Sequence, residues 1–345
     1  MPPAANTRDD ALLRKVMRLH GEPYVYVDEW RVHALLMAHP LDYYRFVRAG
    51  LERIAHGEAV LELPPKQIFA DPDGLSDFRV MPCIVRNADG VTKTVKVIGT
   101  NTRQEVVPEQ ITVGKALVLH PEENFISHIF EGCLLSSART GLCAAMAVDL
   151  LADRRQRVAI VGTGRVGFYA ARFLAALGGV SSVVLVDSAP ESARACAELL
   201  SHDAAGLRVD VVSDFQQIPE VDVLVLATTS AEALSSPANT RAALVVSLGA
   251  DTDAQSELDA SWIDEADIYV DTRDSLRFGD LQAWHREGRI APEQVRDFFD
   301  VLRNGARASG RKRVFVSTGS ALFDNLSIAY LLPKLDSWRR GASAR

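Results

Sequence analysis

Gly162, Gly164 and Gly167, in the run GTGRVG, are spaced as G-x-G-x-x-G. The three glycines do different things. The first permits a tight turn, the second lets backbone approach a pyrophosphate, and the third lets helix and strand pack closely. An apolar run, Val158 to Val161, precedes them, and a helix-patterned stretch, Phe168 to Leu177, follows. A second apolar run, Val183 to Val186, ends on Asp187. In that context Gly162, Thr163, Gly164, Arg165 and Val166 read as a phosphate-binding loop at a helix N-terminus, which offers N–H groups and partial positive charge. Asp187 stands where a carboxylate accepts from both ribose hydroxyls and repels a 2′-phosphate, so the expected cofactor is NAD rather than NADP. The alternative, a glycine-rich turn in some other α/β domain, explains neither the flanking strand and helix nor the spacing of the acid.

Other polar residues have the types needed for acid–base or carboxylate work. Lys96 lies in VKVIG between apolar neighbours. A lysine there pairs with a substrate carboxylate or, with a lowered pKa, moves a proton; on an edge strand it would only face water. Lys66 follows two prolines and is either a second carboxylate clamp or a solvated charge. Arg139, in SSARTG, is read at the start of a helix among small residues, where a guanidinium and a helix N-terminus together suit a carboxylate or phosphate. A solvent-facing helix arginine is the plainer alternative. Asp251 follows Gly249 at the carboxyl end of a strand, within reach of a nicotinamide, or else it N-caps the next segment. Thr228 and Thr229 end another strand, where ligands lie in open α/β sheets.

The eight histidines show no HxH or HExxH pattern, so no metal is expected. Four cysteines are scattered without a CxxC pair, as ordinary buried thiols of a reduced cytoplasmic protein would be. A net charge of −7 gives no support to nucleic-acid binding. No apolar run approaches the ~20 residues that span a bilayer, and MPPAANTRDDALLRKV lacks the apolar region of a signal peptide.

Two kinds of element must position these residues. Residues 58–130 read as successive strands (Phe78–Val85, Val91–Gly99, Ile111–Leu119, Phe125–Phe130), an antiparallel sheet, with a turn at Ala70–Ser76. Before them come a short strand at Tyr24–Val27 and a helix at His39–His56; after them comes a helix from Ser136 to Leu151. From Arg157 onward strands and helices alternate: strands at Leu207–Val212, Val221–Ala227, Ala243–Leu248, Ile268–Val270 and Val314–Thr318, with 274–306 mostly helical and a last helix at Leu322–Leu332. Such alternation predicts a doubly wound parallel sheet. Residues 1–9 read as a flexible start and the tail GASAR as frayed.

Taken in order, these positions resemble the ornithine cyclodeaminase/μ-crystallin family. The marks are Met81-Pro82, Lys96 in VKVIG, SSARTG, VAIVGTGRVG, SLGADTDAQSEL around Asp251 and STGSALFDNLSIAYLL, spread from Leu63 to Leu332. The resemblance implies a Rossmann domain, 151–315, beside an α+β substrate-binding and dimerisation domain, 1–150, completed by 316–345. It implies a homodimer, an NAD(P)(H) cofactor, an amino-acid substrate and chemistry at its Cα–N bond. Carried over by position, Arg139 and Lys96 hold the substrate carboxylate and amino-group region, with Lys66 as a further clamp, and Asp251 is the acid/base at the reacting nitrogen. There are departures. Lys66 stands where cyclodeaminases have a carboxylate-binding arginine, a point charge in place of a bidentate fork. The PGK-type stretch after the aspartate is here Thr252-Asp253-Ala254-Gln255. The segments LPPKQIFADPDGLSDFRVMP and WHREGRIAPEQV are more similar to a siderophore-pathway branch, dehydrogenases that release 2,3-diaminopropionate from an N-linked glutamate adduct. The resemblance thus implies an NAD-dependent oxidoreductase acting through an imine. A redox-neutral cyclodeaminase, an imine (ketimine) reductase and a non-catalytic nucleotide binder remain as alternatives.

Overall fold

The computed structural model describes residues 7–18, 21–72, 76–101, 105–107, 110, 112–204, 206–252 and 254–342. Two sheets divide these residues. The first is built from β1 (Val25–Val27), β2 (Val60–Glu62), β3 (Gln67–Ala70), β4 (Ser76–Asn87), β5 (Gly90–Asn101), β6 (Thr112–Leu119) and β7 (Ile126–Glu131), in the order β1-β7-β6-β5-β4-β2, with β3 also on β4. All its ladders are antiparallel except β1 on β7, which is parallel. On β4 the alternation is complete: Arg79, Met81, Cys83 and Val85 are buried while the residues between them are not. Period-two burial of this kind marks a sheet with one packed face.

Helices α1 (Thr7–Met17), α2 (Glu29–Ala38) and α3 (Pro40–Ala55) precede most of this sheet, and α4 (Gly132–Leu151) leaves it. Neither α1 nor α2 was expected, and Thr7–Asp9 open a helix rather than a flexible start. Residues 1–6 and 343–345, 73–75 within the expected turn, Ile111 and Asp253 lie outside the described residues. Helix α4 starts at Gly132, four residues before its expected start, because the Glu131 carboxylate accepts from Cys133 N–H and Leu134 N–H and caps it. By length and apolarity α4 would pass for a membrane span, but it is packed inside the fold along most of its surface.

The second sheet has eight parallel strands: β8 (Arg157–Val161), β9 (Ser182–Val186), β10 (Arg208–Val212), β11 (Val223–Leu226), β12 (Leu244–Ser247), β13 (Ala266–Val270), β14 (Arg296–Asp297) and β15 (Lys312–Val316). Their order is β10-β9-β8-β11-β12-β15-β13-β14. Strands such as VAIV and VLVL are buried on both faces, which is why they read as unbroken apolar runs. The winding reverses between β8 and β11, so the crevice at their carboxyl ends is the switch point where ligands lie in this fold. Helices α5 (Arg165–Leu177), α6 (Pro190–Asp203), α7 (Trp262–Glu265), α8 (Gly279–Arg286) and α9 (Phe298–Asn304) connect the strands. The last helix, α10 (Ala321–Ala342), returns to the first sheet and packs on β4 and β5. One apolar core runs from the first sheet through α4 and α5 to the near face of the second sheet; a separate one, around Trp262 and Trp284, fills the far face.

Candidate active site

The packed face of the first sheet carries two cations. Met81 pairs with Lys96 and Arg79 with Ile98, so Arg79 and Lys96 are diagonal neighbours on one face of β4 and β5. Strand β5 lies between β4 and β6, so Lys96 is not an edge-strand residue facing water; it is 2 % exposed. Its Nζ sits 2.6 Å from Asp324 Oδ2 of α10. The other oxygen, Oδ1, accepts from Arg139 Nε at 3.1 Å. Ser136 Oγ accepts from both cations, at 2.8 Å from Arg139 and 3.3 Å from Lys96. Burial lowers the Lys96 ammonium to about 8, against the pull of Asp324. Burial would raise the Asp324 carboxyl, but Lys96 and Arg139 hold it below its ordinary value. One carboxylate between two buried cations leaves positive charge for an incoming anion.

Arg139 is not at a helix start. It lies two turns inside α4 and is held by Asp324 and Ser136, so no helix N-terminus assists it.

Arg79 ties this face to the second sheet. Its Nη1 donates to Asp251 Oδ2 at 2.7 Å, while Nε and Nη2 donate to Asp77 at 2.9 and 3.2 Å. Asp251 is half-buried, and burial would raise its carboxyl; Arg79 and Lys66 outweigh that and hold it below the usual carboxylate range. It caps no helix; its hydrogen bond goes to Arg79 of the other sheet. Lys66 Nζ donates to Thr318 O at 2.8 Å and lies 3.5 Å over the Phe278 ring. Among the described residues no carboxylate forms an ion pair with it. Burial lowers it to about 8, with Asp251 opposing.

The glycine loop meets the same strand ends. Gly162 has φ +90, and a Cβ there would fall 2.3 Å from Ala227 O. At Gly167 it would fall 2.0 Å from Gly162 O, whereas at Gly164 nothing lies within 4 Å. The first and third glycines are thus required by packing, and the second faces open space. Helix α5 begins with Gly164 as N-cap and no side-chain cap, leaving its first N–H groups for a ligand. Asp187 accepts from Thr163 N–H and Oγ1 at 2.7 and 2.8 Å and from Ala189 N–H at 2.9 Å. Burial opposes its charge, yet these bonds keep the carboxyl below its ordinary value. Arg165 is exposed, Val166 half-buried and Thr229 exposed. Thr228 gives both its N–H and its hydroxyl to Glu257 Oε1, at 2.7 and 2.9 Å. These residues fit a dinucleotide: a cradle without side chain at Gly164, an uncapped helix end behind it and a fixed acid beside it.

Lys66, Lys96, Arg139 and Asp251 therefore fall in one cluster of interacting charges, and the glycine loop, Asp187 and Thr228 at the switch point. Sequence reading missed Arg79, Asp324 and Glu257. Arg79 had a usable signal: it is two residues before Met81, hence on the same strand face. Asp324 is an acid in the apolar helical run ALFDNLSIAYLL. Glu257 had none.

A doubly wound sheet with this loop at its switch point, bridged to a charged second sheet, defines a Rossmann-type nucleotide-binding protein with an added α+β layer. The chain belongs to the ornithine cyclodeaminase/mu-crystallin family, whose profile matches residues 29–331. Over 216 residues it is 26 % identical to Delta(1)-pyrroline-2-carboxylate reductase 1 of Burkholderia multivorans, covering 61 % of this chain and 67 % of that protein. Among solved structures, Delta(1)-pyrroline-2-carboxylate reductase of Thermococcus litoralis, in complex with NADH and L-proline, superimposes with a TM-score of 0.79 at 19 % identity, over 92 % of this chain and 98 % of that one. An archaeal alanine dehydrogenase dimer with bound NAD gives 0.78 at 20 % identity, over 92 % and 97 %.

Proposed function

We propose that the protein is an NAD-dependent oxidoreductase acting at the Cα–N bond of an amino acid or of the corresponding imine. The observation that carries this reading is the Arg79–Asp251 hydrogen bond, which places an ionised acid between the nucleotide crevice and a buried cluster of cations. The relatives named above as a reductase bound to NADH and a dehydrogenase bound to NAD support the cofactor and the chemistry.

When bound, the nicotinamide supplies a hydride acceptor or donor. The chain does the rest. The N–H groups after Gly164 hold the pyrophosphate, and Asp187 takes the ribose; the Thr228-Thr229 turn borders the same crevice. Lys96 and Arg139 hold the substrate carboxylate, with Lys66 on the opposite wall. Asp251, charged at neutral pH and oriented by Arg79, accepts a proton from the substrate nitrogen and returns one when an imine is reduced. The substrate is thereby oriented.

The diaminopropionate-forming branch is the finer reading. Residues of its two sequence marks meet in space: Pro64 to Phe69 of the first and His285 and Arg286 of the second border one pocket of about 820 Å³, with Lys66 in its wall and no acidic lining residue. Such a pocket suits an N-linked substrate with a further carboxylate. The division into a substrate layer, 1–150 with 316–345, and a nucleotide layer, 151–315, belongs to the same proposal, as does a homodimer. Four cysteines, all free and buried, suit a reducing cytoplasm.

The decisive test follows NADH and ammonia together, using NAD+ and a panel of diamino acids and N-linked amino-acid adducts. NADH equal to the keto acid formed is the expected result. Ammonia without net NADH would instead establish a cyclodeaminase. Silence in both, with turnover of cyclic imines by NADH, would assign the reductive direction that the Burkholderia relative's name suggests.

A further inference from the structure

Glu257 is 1 % exposed, yet among the described residues no cation forms an ion pair with it. Its two oxygens instead meet five donors from two strand ends. Oε1 accepts from Thr228 N–H at 2.7 Å and Thr228 Oγ1 at 2.9 Å. Oε2 accepts from Ser247 Oγ at 2.7 Å, Leu248 N–H at 3.1 Å and Gly249 N–H at 2.9 Å. Three of the five donors are backbone N–H groups, which cannot turn round to accept. The geometry therefore calls for the carboxylate form, even though burial pushes this carboxyl up.

The surroundings leave no slack. A Cβ on Gly249 would come 1.9 Å from Thr228 O and 2.5 Å from Glu257 Oε1, so only glycine permits this approach. Glu257 is itself anchored: its carbonyl accepts from Leu234 N–H and Ser235 N–H, and its N–H donates to Asp280 Oδ2 at 3.0 Å. Asp280 also accepts from Ser256 Oγ and Leu258 N–H, fixing the residues on both sides.

We propose that Glu257 is a positioning residue that locks the Thr228 turn after β11 and the Gly249–Asp251 turn after β12 in one register. The seat of the cofactor and the acid that serves the substrate are then set by a single buried carboxylate. This rests on the assignment of Thr228 and Asp251 made above. Glu257 touches neither ligand; it acts through the two turns.

The test compares the full-length protein with Glu257→Gln and Glu257→Asp. The glutamine is isosteric, but whichever way its amide is placed the NH2 meets a backbone N–H of Thr228 or of Leu248 and Gly249. The aspartate keeps the charge and shortens the reach. Hydrogen exchange is followed in peptides covering 226–230 and 246–251. Turnover is expressed per NADH-binding site, at a temperature where each variant is folded by circular dichroism. The expected result is loss of protection in both peptides together, and kcat lowered about tenfold or more with KM changed much less. Glu257→Asp should recover part of both. A merely structural glutamate would lower the melting temperature and leave kcat per site at the wild-type value. That outcome, or unchanged exchange in either peptide of Glu257→Gln, overturns the proposal. Wild-type inactivity on every amino acid and imine would instead condemn the oxidoreductase reading, while the exchange data would still decide the role of Glu257. A variant that does not fold is replaced by Thr228→Val, which removes one of the five donors; unchanged exchange in the 246–251 peptide would then refute the coupling.

Discussion

Asp251 and Lys66 face each other across the candidate site with opposite charges and opposite pKa logic. The Arg79 and Lys66 charges outweigh burial at Asp251 and hold it ionised, as the base proposed for it must be. Asp251→Asn keeps an acceptor for Arg79 but cannot take a proton. It should cut turnover about 100-fold or more and leave NADH affinity within about twofold, as read by steady-state kinetics and fluorescence titration. Turnover near the wild-type level would remove Asp251 from the chemistry. Lys66 and Lys96 make a pH prediction whose sign is fixed by burial. Both ammonium groups are lowered to about 8, so each is charged below that pH and neutral above it. The substrate carboxylate would lose its lysine partners as pH rises, although Arg139 stays charged, and KM should climb above about pH 8 while staying flat below it. In Lys66→Met the KM at pH 7 should already be about tenfold higher. A KM that does not change between about pH 7 and 10 would show that neither amine holds the substrate.

At the scale of elements, the contact between α4 and α5 holds the two halves of the site in place. Helix α4 carries Arg139 and Ser136; α5 carries the phosphate loop. They cross at Gly141, where a Cβ would fall 2.5 Å from Ala170 N and 2.6 Å from Tyr169 Cβ. Helix backbone cannot yield there, so Gly141→Ala should destabilise by roughly 1–3 kcal/mol, even though alanine is the better helix former. Thermal melts would show it, and NADH affinity should fall as α5 is displaced; a melting point at or above the wild type would mean the helices part easily. This crossing also shows what the sequence could say. Strands β8, β9, β11 and β12 were legible because parallel strands buried on both faces are continuous apolar runs. Strands β2 and β3 were not read as strands: they are three and four residues long and mostly exposed, so they carry no clear alternation. Helix α2 was missed because Trp30, Val32 and Leu36 sit on different exposures of one short segment. Lys96 and Arg139 stood out as charges among apolar or small residues. Their partner Asp324 lies 185 residues beyond Arg139 in the chain, and Arg79 finds Asp251 across 172 residues, so only the folded arrangement could join them.

The whole molecule leaves one feature unsatisfied as a single chain. The first sheet buries one face against α4 and α10, and its other face mixes apolar residues with Lys93 and Lys115. Val80, Pro82 and Ile84 on β4, Val95 and Val97 on β5, and Leu117 on β6 share that face and are half-buried or exposed. At the edge, Phe69 and Phe78 stack at 4.6 Å while 47 % and 48 % exposed. An antiparallel sheet facing water alternates polar with apolar residues, and an apolar patch of this extent, bordered by lysines, marks an interaction surface. We expect a second copy of the chain to cover this face, because a two-fold axis can set the same patch against itself. The expected mass in solution by light scattering is therefore twice 37.7 kDa. Placing carboxylates in this patch (Phe69→Asp with Val97→Asp) should give a monomer, since the added charges would be buried in an apolar contact. Neither residue belongs to the glycine loop or to the Thr228 turn, so the monomer should still bind NADH. A wild-type protein that runs as a monomer at micromolar concentration would leave the apolar face to a different partner; a variant that stays dimeric would put the two-fold contact elsewhere on the molecule.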